Sequence, residues 1–242
     1  MKRFIVILAL LATCPLAQAT STNLTQLIEP IRSYVTDTTQ SFDNISEWRR
    51  RMLKETADFL ADDLKAGKPA NLVFICTHNS RRSHMSQVWF SAAAAYYGVT
   101  NIHAYSGGVE VTACNIRTVA AMRRAGLSVV ATTEGKNPVY LAQYAENLPP
   151  LKLYSKPYKA KGNPKSGYVA VMCCADADKR CPKIDGANLR IPLHYADPKD
   201  FDGTSEEPAA YDERCKQIAT EMFYTMSLVA EGVKQTPVAE RR

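Results

Sequence analysis

The chain has 242 residues, 46% of them apolar and 22% charged, with 11 glycines and 13 prolines. That length supports one domain with a sizeable core, and the composition excludes fibrous and low-complexity chains. A formal charge of +6 at pH 7, without a long basic patch interleaved with aromatics, suits a small anionic ligand rather than nucleic acid.

Residues 1–19 read as a cleavable secretory signal. Lys2 and Arg3 form a basic start, Phe4 to Ala12 an apolar run, and Ala17-Gln18-Ala19 a small-x-small cleavage site. The run is shorter than the roughly 20 residues that a membrane span requires. Leu11-Ala12-Thr13-Cys14 resembles a lipoprotein box, but Thr before the Cys fits it poorly. The expectation is a periplasmic or secreted chain beginning at Thr20, with no stable membrane insertion. Losing Lys2 and Arg3 would leave 28 basic and 24 acidic residues, a charge of +4.

Residues 20–70 are expected to form a helical extension. Leu24, Ile28, Ile31 and Val35 recur at helical spacing, and Thr36 to Asn44 is a polar break. Ser46 is placed to cap a second helix, which Gly67-Lys68-Pro69 ends. Residues 71–235 are expected to form the main domain, followed by a polar tail over 236–242. Leu72 to Ile75 has the pattern of a fully buried strand. Polar residues 77–83 follow, then a helix from His84 to Tyr97. Ile102 to Tyr105 is a second strand, broken by Ser106-Gly107-Gly108. Asn115 to Ala125 is a helix ended by Gly126, and Leu127 to Ala131 a short strand or extended edge. A long Pro-rich connection over 134–167 is expected to hold a short helix, Val139 to Glu146. Tyr168 to Met172 and Leu189 to Pro192 are further strands. Pro208 to about Val233 is a closing helix with Ile218, Met222, Met226 and Val229 on one stripe. Alternating strands and helices imply a parallel sheet, here a three-layer α/β sandwich with four parallel strands. Ligands in such sheets sit beyond the carboxyl ends of the strands.

Two cysteine-bearing segments fall there. The first is Cys76-Thr77-His78-Asn79-Ser80-Arg81-Arg82-Ser83. A loop between a buried strand and a helix can turn successive N–H groups inward and aim the helix's positive end at the same point. That field suits a tetrahedral oxyanion and favours a thiolate, making Cys76 the candidate nucleophile. Arg82 is placed to clamp two anion oxygens. The second segment is Met-Cys-Cys-Ala-Asp-Ala-Asp-Lys-Arg-Cys-Pro over 172–182, with Cys174 and Cys181 seven residues apart in a polar stretch that reads as a swinging loop. Such spacing suits a thiol relay acting on an intermediate at Cys76; a static Cys174–Cys181 disulfide is the other reading. Cys173 should face the core at the strand end, with competition as an attacking thiol left open. Cys114 and Cys215 read as helix residues without a role. Cys173, Cys174 and Cys181 lack paired CxxC spacing, and His78, His84, His103 and His194 are scattered, so neither a metal nor a cofactor is expected. Asp197-Pro198, after the last short strand, supplies a candidate acid. Asp200 and Asp202 lie close enough to compete with it.

Cys76 to Ser83, the Cys174/Cys181 segment and Asp197-Pro198 together resemble the low-molecular-weight protein tyrosine phosphatases and the thioredoxin-coupled arsenate reductases that share their fold. The resemblance spans roughly 70–235. It implies that Cys76 is the nucleophile, that Arg82 binds the oxyanion, and that Asp197 is the general acid. It further implies that Asn79 shapes the loop, that Ser83 donates to the thiolate, and that Thr77 and Ser80 offer backbone amides. His78 and Arg81 depart from the phosphatase pattern and bear on substrate choice. The Cys-x6-Cys-Pro segment marks the reductases, so reduction of arsenate, with a thioredoxin-like or small-thiol reductant, is the first expectation. Phosphate monoester hydrolysis through a phosphocysteine is the second. A scaffold that merely binds oxyanions would lack a nucleophile or an acid, and neither is lacking.

Overall fold

The computed structural model describes residues 27–234. The signal sequence expected over 1–19 and the polar tail over 236–242 lie outside them.

Two helices come first, α1 (Arg32–Thr39) and α2 (Glu47–Lys65), the latter entered at Ser46 in extended conformation. Ile28 precedes a 3-10 turn over Glu29–Ile31, so the helix begins later than the apolar spacing suggested. The rest of the chain runs β1 (Ala70–Cys76), α3 (Arg82–Tyr97), β2 (Ile102–Gly108), α4 (Ile116–Arg124), β3 (Ser128–Ala131), β4 (Tyr140–Gln143), β5 (Leu151–Leu153), β6 (Tyr168–Met172), α5 (Ala175–Arg180), β7 (Ala187–Ile191) and α6 (Glu207–Lys234). The expected four-stranded parallel sheet is present, in the order β2-β1-β6-β7. β2 continues through Ser106-Gly107-Gly108, where a break was expected. A Cβ on Gly107 would stand 2.2 Å from the Tyr158 backbone, so glycine there lets the 156–158 segment close on the strand.

The helix expected over Val139 to Glu146 is instead β4. It pairs antiparallel with β3 and β5 in a second, three-stranded sheet. Tyr140 and Ala142 are buried while Leu141 and Gln143 are half-buried. That period of two, after Pro138, is a strand pattern, and partners on both sides supply its hydrogen bonds. The Cys174–Cys181 segment, expected as a loop, contains the six-residue helix α5. Cys114 lies just before α4, whose start Asn115 caps by accepting from the Arg117 amide at 2.8 Å. Cys215 does lie in a helix, α6, and accepts from Trp89 Nε1 at 3.2 Å.

The N-terminal helices belong to the core. Leu72 and Phe74 of β1, Leu53 of α2, Phe90 of α3 and Met222 of α6 line one small void. Phe74 and Phe90 meet edge to face at 5.8 Å. Arg49 of α2 is tied to Glu221 of α6 by two bonds of 2.6 and 2.7 Å. Tyr195 Oη donates to the same carboxylate at 2.7 Å. Ile218, Met222, Met226 and Val229 are all buried, as their stripe required.

Candidate active site

β1 delivers Cys76 to the carboxyl edge of the sheet, and residues 77–81 loop from there into α3. The loop's oxygens are taken from outside. Cys76 O accepts from Val109 N at 3.2 Å, Thr77 O from Glu110 N at 2.8 Å, and Ser80 O from Asn115 N at 3.0 Å. His78 O accepts from Ser155 Oγ at 2.8 Å. Among the described residues no backbone acceptor takes the amides of 77–83. Oxygens outward and amides inward make a concave ring of donors, and α3 adds its positive end.

Asn79 is the hinge of that ring. Its φ of 46° is left-handed, which costs a residue with a Cβ free energy. Side-chain bonds hold it there: Nδ2 donates to Ser83 Oγ at 2.9 Å, and Oδ1 accepts from Lys156 N at 3.0 Å. Ser83 Oγ in turn lies 3.0 Å from Cys76 Sγ. Cys76 is buried, 3% exposed.

Arg82 opens α3. Its Nη1 donates to Tyr195 O at 2.9 Å, and its Nη2 to Asp197 Oδ2 at 2.5 Å. Its buried Nε has no partner among the described residues, which leaves one guanidinium donor for a guest. Asp197 also caps a 3-10 turn, accepting from Lys199 N at 3.2 Å. Of the three neighbouring carboxylates it is therefore Asp197 that meets Arg82, while Asp202 turns to Arg81 and Arg117.

The side chains of Arg81 and His78 face away from the ring's centre. Arg81 Nε donates to Tyr211 Oη at 2.8 Å, and Tyr211 donates to Asp202 Oδ1 at 2.8 Å. Arg81 also stands 3.8 Å from Asp197 Oδ1. His78 pairs with Glu110 at 3.1 Å, and Arg180 of α5 reaches the same carboxylate at 2.7 Å. Thr77 Oγ1 donates to Asp176 Oδ2 at 2.8 Å. Tyr211, Tyr195 and Asp176 carry no local sequence signal; they matter through contacts made 99 to 130 residues away.

Below the loop, two basic groups are buried. Burial and then the Lys156 charge push His84 down to about 3; its Nδ1 lies 3.3 Å from Ser106 Oγ. Burial lowers Lys156 to about 8.

The second cysteine segment adjoins the ring. Cys174, at the N-cap of α5, places Sγ 3.3 Å from Thr77 Oγ1. Cys181 stands at the other end of α5 and is half-buried. Cys173 is fully buried, as its inward position implied. All six cysteines among the described residues are free thiols.

Residues 71–143 match the family model "Low molecular weight phosphotyrosine protein phosphatase". An arsenate reductase from Bacillus licheniformis is 27% identical over 145 residues, covering 60% of this chain and 86% of the relative. Another arsenate reductase, from Halalkalibacterium halodurans, is 27% identical over 154 residues, 62% of this chain and 92% of the relative. The crystal structure of a YwlE mutant from Bacillus subtilis is similar over 69% of this chain and 99% of its own, with a TM-score of 0.44 and 14% identity.

Proposed function

We propose that this chain, an enzyme of the low-molecular-weight phosphatase and arsenate reductase family, reduces arsenate to arsenite by a relay from Cys76 through Cys174 to Cys181. The observation that carries this reading is the Cys174 thiol, 3.3 Å from the hydroxyl of the residue next to the nucleophile, with a second thiol at the far end of the same short helix.

Arsenate enters the ring of amides and takes Arg82. The Cys76 sulfur attacks arsenic, and an oxygen leaves as water. Cys174 then attacks the Cys76 sulfur. An S–S bond forms, the As–S electron pair passes to arsenic, and arsenite leaves. Cys181 attacks the Cys174 sulfur, freeing Cys76 and leaving a Cys174–Cys181 disulfide for an external thiol to reduce.

That last step requires α5 to unwind. Seven residue steps from N-cap to C-cap, at about 1.5 Å each along a helix, place the two Cα atoms about 10 Å apart, beyond the roughly 6.8 Å a disulfide tolerates. Unwinding costs little apolar burial, because Ala177 is the helix's one buried residue. Polar pins hold the rest: Arg190 to Asp178 O at 2.8 Å and Cys181 O at 3.1 Å, and Thr77 to Asp176. Such pins are worth about 1 kcal/mol each.

Phosphate monoester hydrolysis is the second reading, and Asp197 favours it. Its carboxyl lies beside Arg82, where it would protonate a leaving oxygen and then assist water. The leader-like residues 1–19 add a location to the proposal. In the periplasm or outside the cell, the reductant would be a thioredoxin-like protein or small thiol of that compartment.

The test is one preparation of reduced protein in two assays: arsenite formed from arsenate with glutathione or thioredoxin, and an aryl phosphate hydrolysed without thiol. Thiol-dependent arsenite supports the relay. Strong hydrolysis with no arsenite overturns it in favour of the second reading.

A further inference from the structure

Cys173 has no place in the relay, yet it lies beside Cys76 across two neighbouring strands. β1 and β6 run parallel with Ile75 opposite Met172. Cys76 ends β1 and Cys173 directly follows β6, and Cys173 N donates to Ile75 O at 2.7 Å. Adjacent strands lie about 4.8 Å apart, inside the roughly 4.4–6.8 Å Cα range of a disulfide.

Both sulfurs also face the same helix. Cys76 Sγ lies 3.0 Å from Ser83 Oγ, and Cys173 Sγ lies 3.9 Å from Ser86 Oγ. Ser83 and Ser86 are one turn apart on α3. Cys174, the next residue, projects elsewhere, toward Thr77. The three thiols therefore divide in two. Cys174 opens toward α5 and Cys181; Cys173 is sealed at 0% exposure against the helix that carries Ser83 and Arg82.

We infer that Cys173 is a resolving thiol for oxidised Cys76, and that a Cys76–Cys173 disulfide is a reversible protective state of the active site. The oxidant is a hydroperoxide. The Cys76 thiolate attacks the peroxide oxygen, the O–O bond breaks, and Cys76 becomes a sulfenic acid. The Cys173 sulfur then attacks the Cys76 sulfur. An S–S bond forms, the S–O bond breaks, and the oxygen departs with the Cys173 proton as water. Two electrons from a dithiol reverse the change. Without a resolving thiol, further peroxide carries sulfenic acid to sulfinic acid, which thiols do not reduce.

The surroundings time this reaction. Burial pushes the Cys173 thiol up, and a charge on the neighbouring Cys76 pushes it further. Forming the neutral sulfenic acid removes that second obstacle; burial still opposes ionisation of Cys173, while the Ser86 hydroxyl and the Arg82 charge favour it.

The inference rests on Cys76 as the reactive thiol, which both readings of function share, and not on the relay. It is tested in the Cys174→Ser/Cys181→Ser double variant, which leaves the buried pair intact and removes the competing thiols. The protein is treated with hydrogen peroxide, denatured with iodoacetamide present, digested and mapped by mass spectrometry. The expected product is a cross-link between the Cys76 and Cys173 peptides, lost on treatment with dithiothreitol, with aryl phosphate hydrolysis or arsenate binding lost and recovered in step. Sulfinic acid at Cys76 with Cys173 alkylated would overturn the inference and leave Cys76 as nucleophile. Cys76 still alkylated and unoxidised would overturn both. Cys173→Ala in the otherwise unchanged chain is the second measurement. Relative to the parent, it should show loss of dithiothreitol-recoverable activity after peroxide; recovery equal to the parent's would assign protection to Cys174 and overturn the inference.

Discussion

Arg82 Nη2 and Asp197 Oδ2 are 2.5 Å apart across the mouth of the loop. A carboxylate thus occupies the guanidinium that an oxyanion would need, and binding exchanges one anion for another. Asp197→Asn keeps the shape and removes the competing charge. Under the phosphatase reading it should bind inorganic phosphate or arsenate more tightly, by several-fold, while hydrolysing an aryl phosphate about a hundredfold more slowly. Calorimetric titration and a rate assay on one preparation check both. Weaker anion binding would show that Asp197 supports the ring instead of competing with the ligand.

The relay predicts different arrests for its two outer thiols. Cys174→Ser should stop arsenite release after the first adduct. Cys181→Ser should allow one turnover and trap a Cys76–Cys174 disulfide, because nothing then accepts it. Rapid quench with arsenite analysis and mass mapping distinguishes the two. Multiple turnovers in either variant would remove that thiol from the relay.

The pair of Arg49 and Glu221, with side chains 9% and 2% exposed, joins the N-terminal helices to α6. Glu221→Ala leaves a buried guanidinium without its partner and Tyr195 Oη without its acceptor. A loss of about 3–5 kcal/mol in unfolding free energy is expected. Chemical denaturation should show one transition shifted to lower denaturant. Since Tyr195 O also holds Arg82, anion affinity should fall with it.

Lys156 gives the fold a pH signature. Burial lowers its amine to about 8 from 10.5, so the unfolded chain binds the extra proton between those values. Stability contributed at this site therefore rises with pH from about 8 to 10.5 and is smallest below 8. Lys156→Met should be more stable than the parent at pH 7, on the order of 2 kcal/mol, with the difference vanishing above about pH 10.5. Melting curves across that range are the check. A constant difference would mean packing, not ionisation, controls the effect.

Chain processing is tested separately. Lys2, Arg3, the apolar run to Ala12 and Ala17-Gln18-Ala19 predict a mature protein beginning near Thr20 in the periplasm or beyond. N-terminal sequencing of the protein from its native cells should find Thr20. Met1 or Lys2 there would refute cleavage.

What could be read from sequence was local. A buried apolar run ending in Cys76, seven polar residues and a helix specify a strand, an anion loop and a helix by short-range rules, and Asp197-Pro198 stood out as a turn beside that loop. The expected α/β sheet followed from the alternation of apolar runs. β4 escaped because a few residues of Val, Tyr, Leu and Ala suit either period, and only β3 and β5 supply the strand's hydrogen bonds. α5 escaped because a short polar helix is held by Thr77, Glu110 and Arg190, none of which its own sequence announces.

The sequence by itself determined which atoms can do chemistry here: thiols at 76, 173, 174 and 181, a guanidinium at 82, a carboxyl at 197. Tertiary structure decided how they are grouped. It turned Arg81 out to Tyr211 and Asp202, set Asp197 against Arg82, and sorted two adjacent cysteines onto opposite sides of the site. The physical reason is range. Secondary structure and loop polarity follow from neighbours along the chain, whereas these pairings depend on which strands lie side by side and which helix covers them, and those contacts join residues up to 130 positions apart.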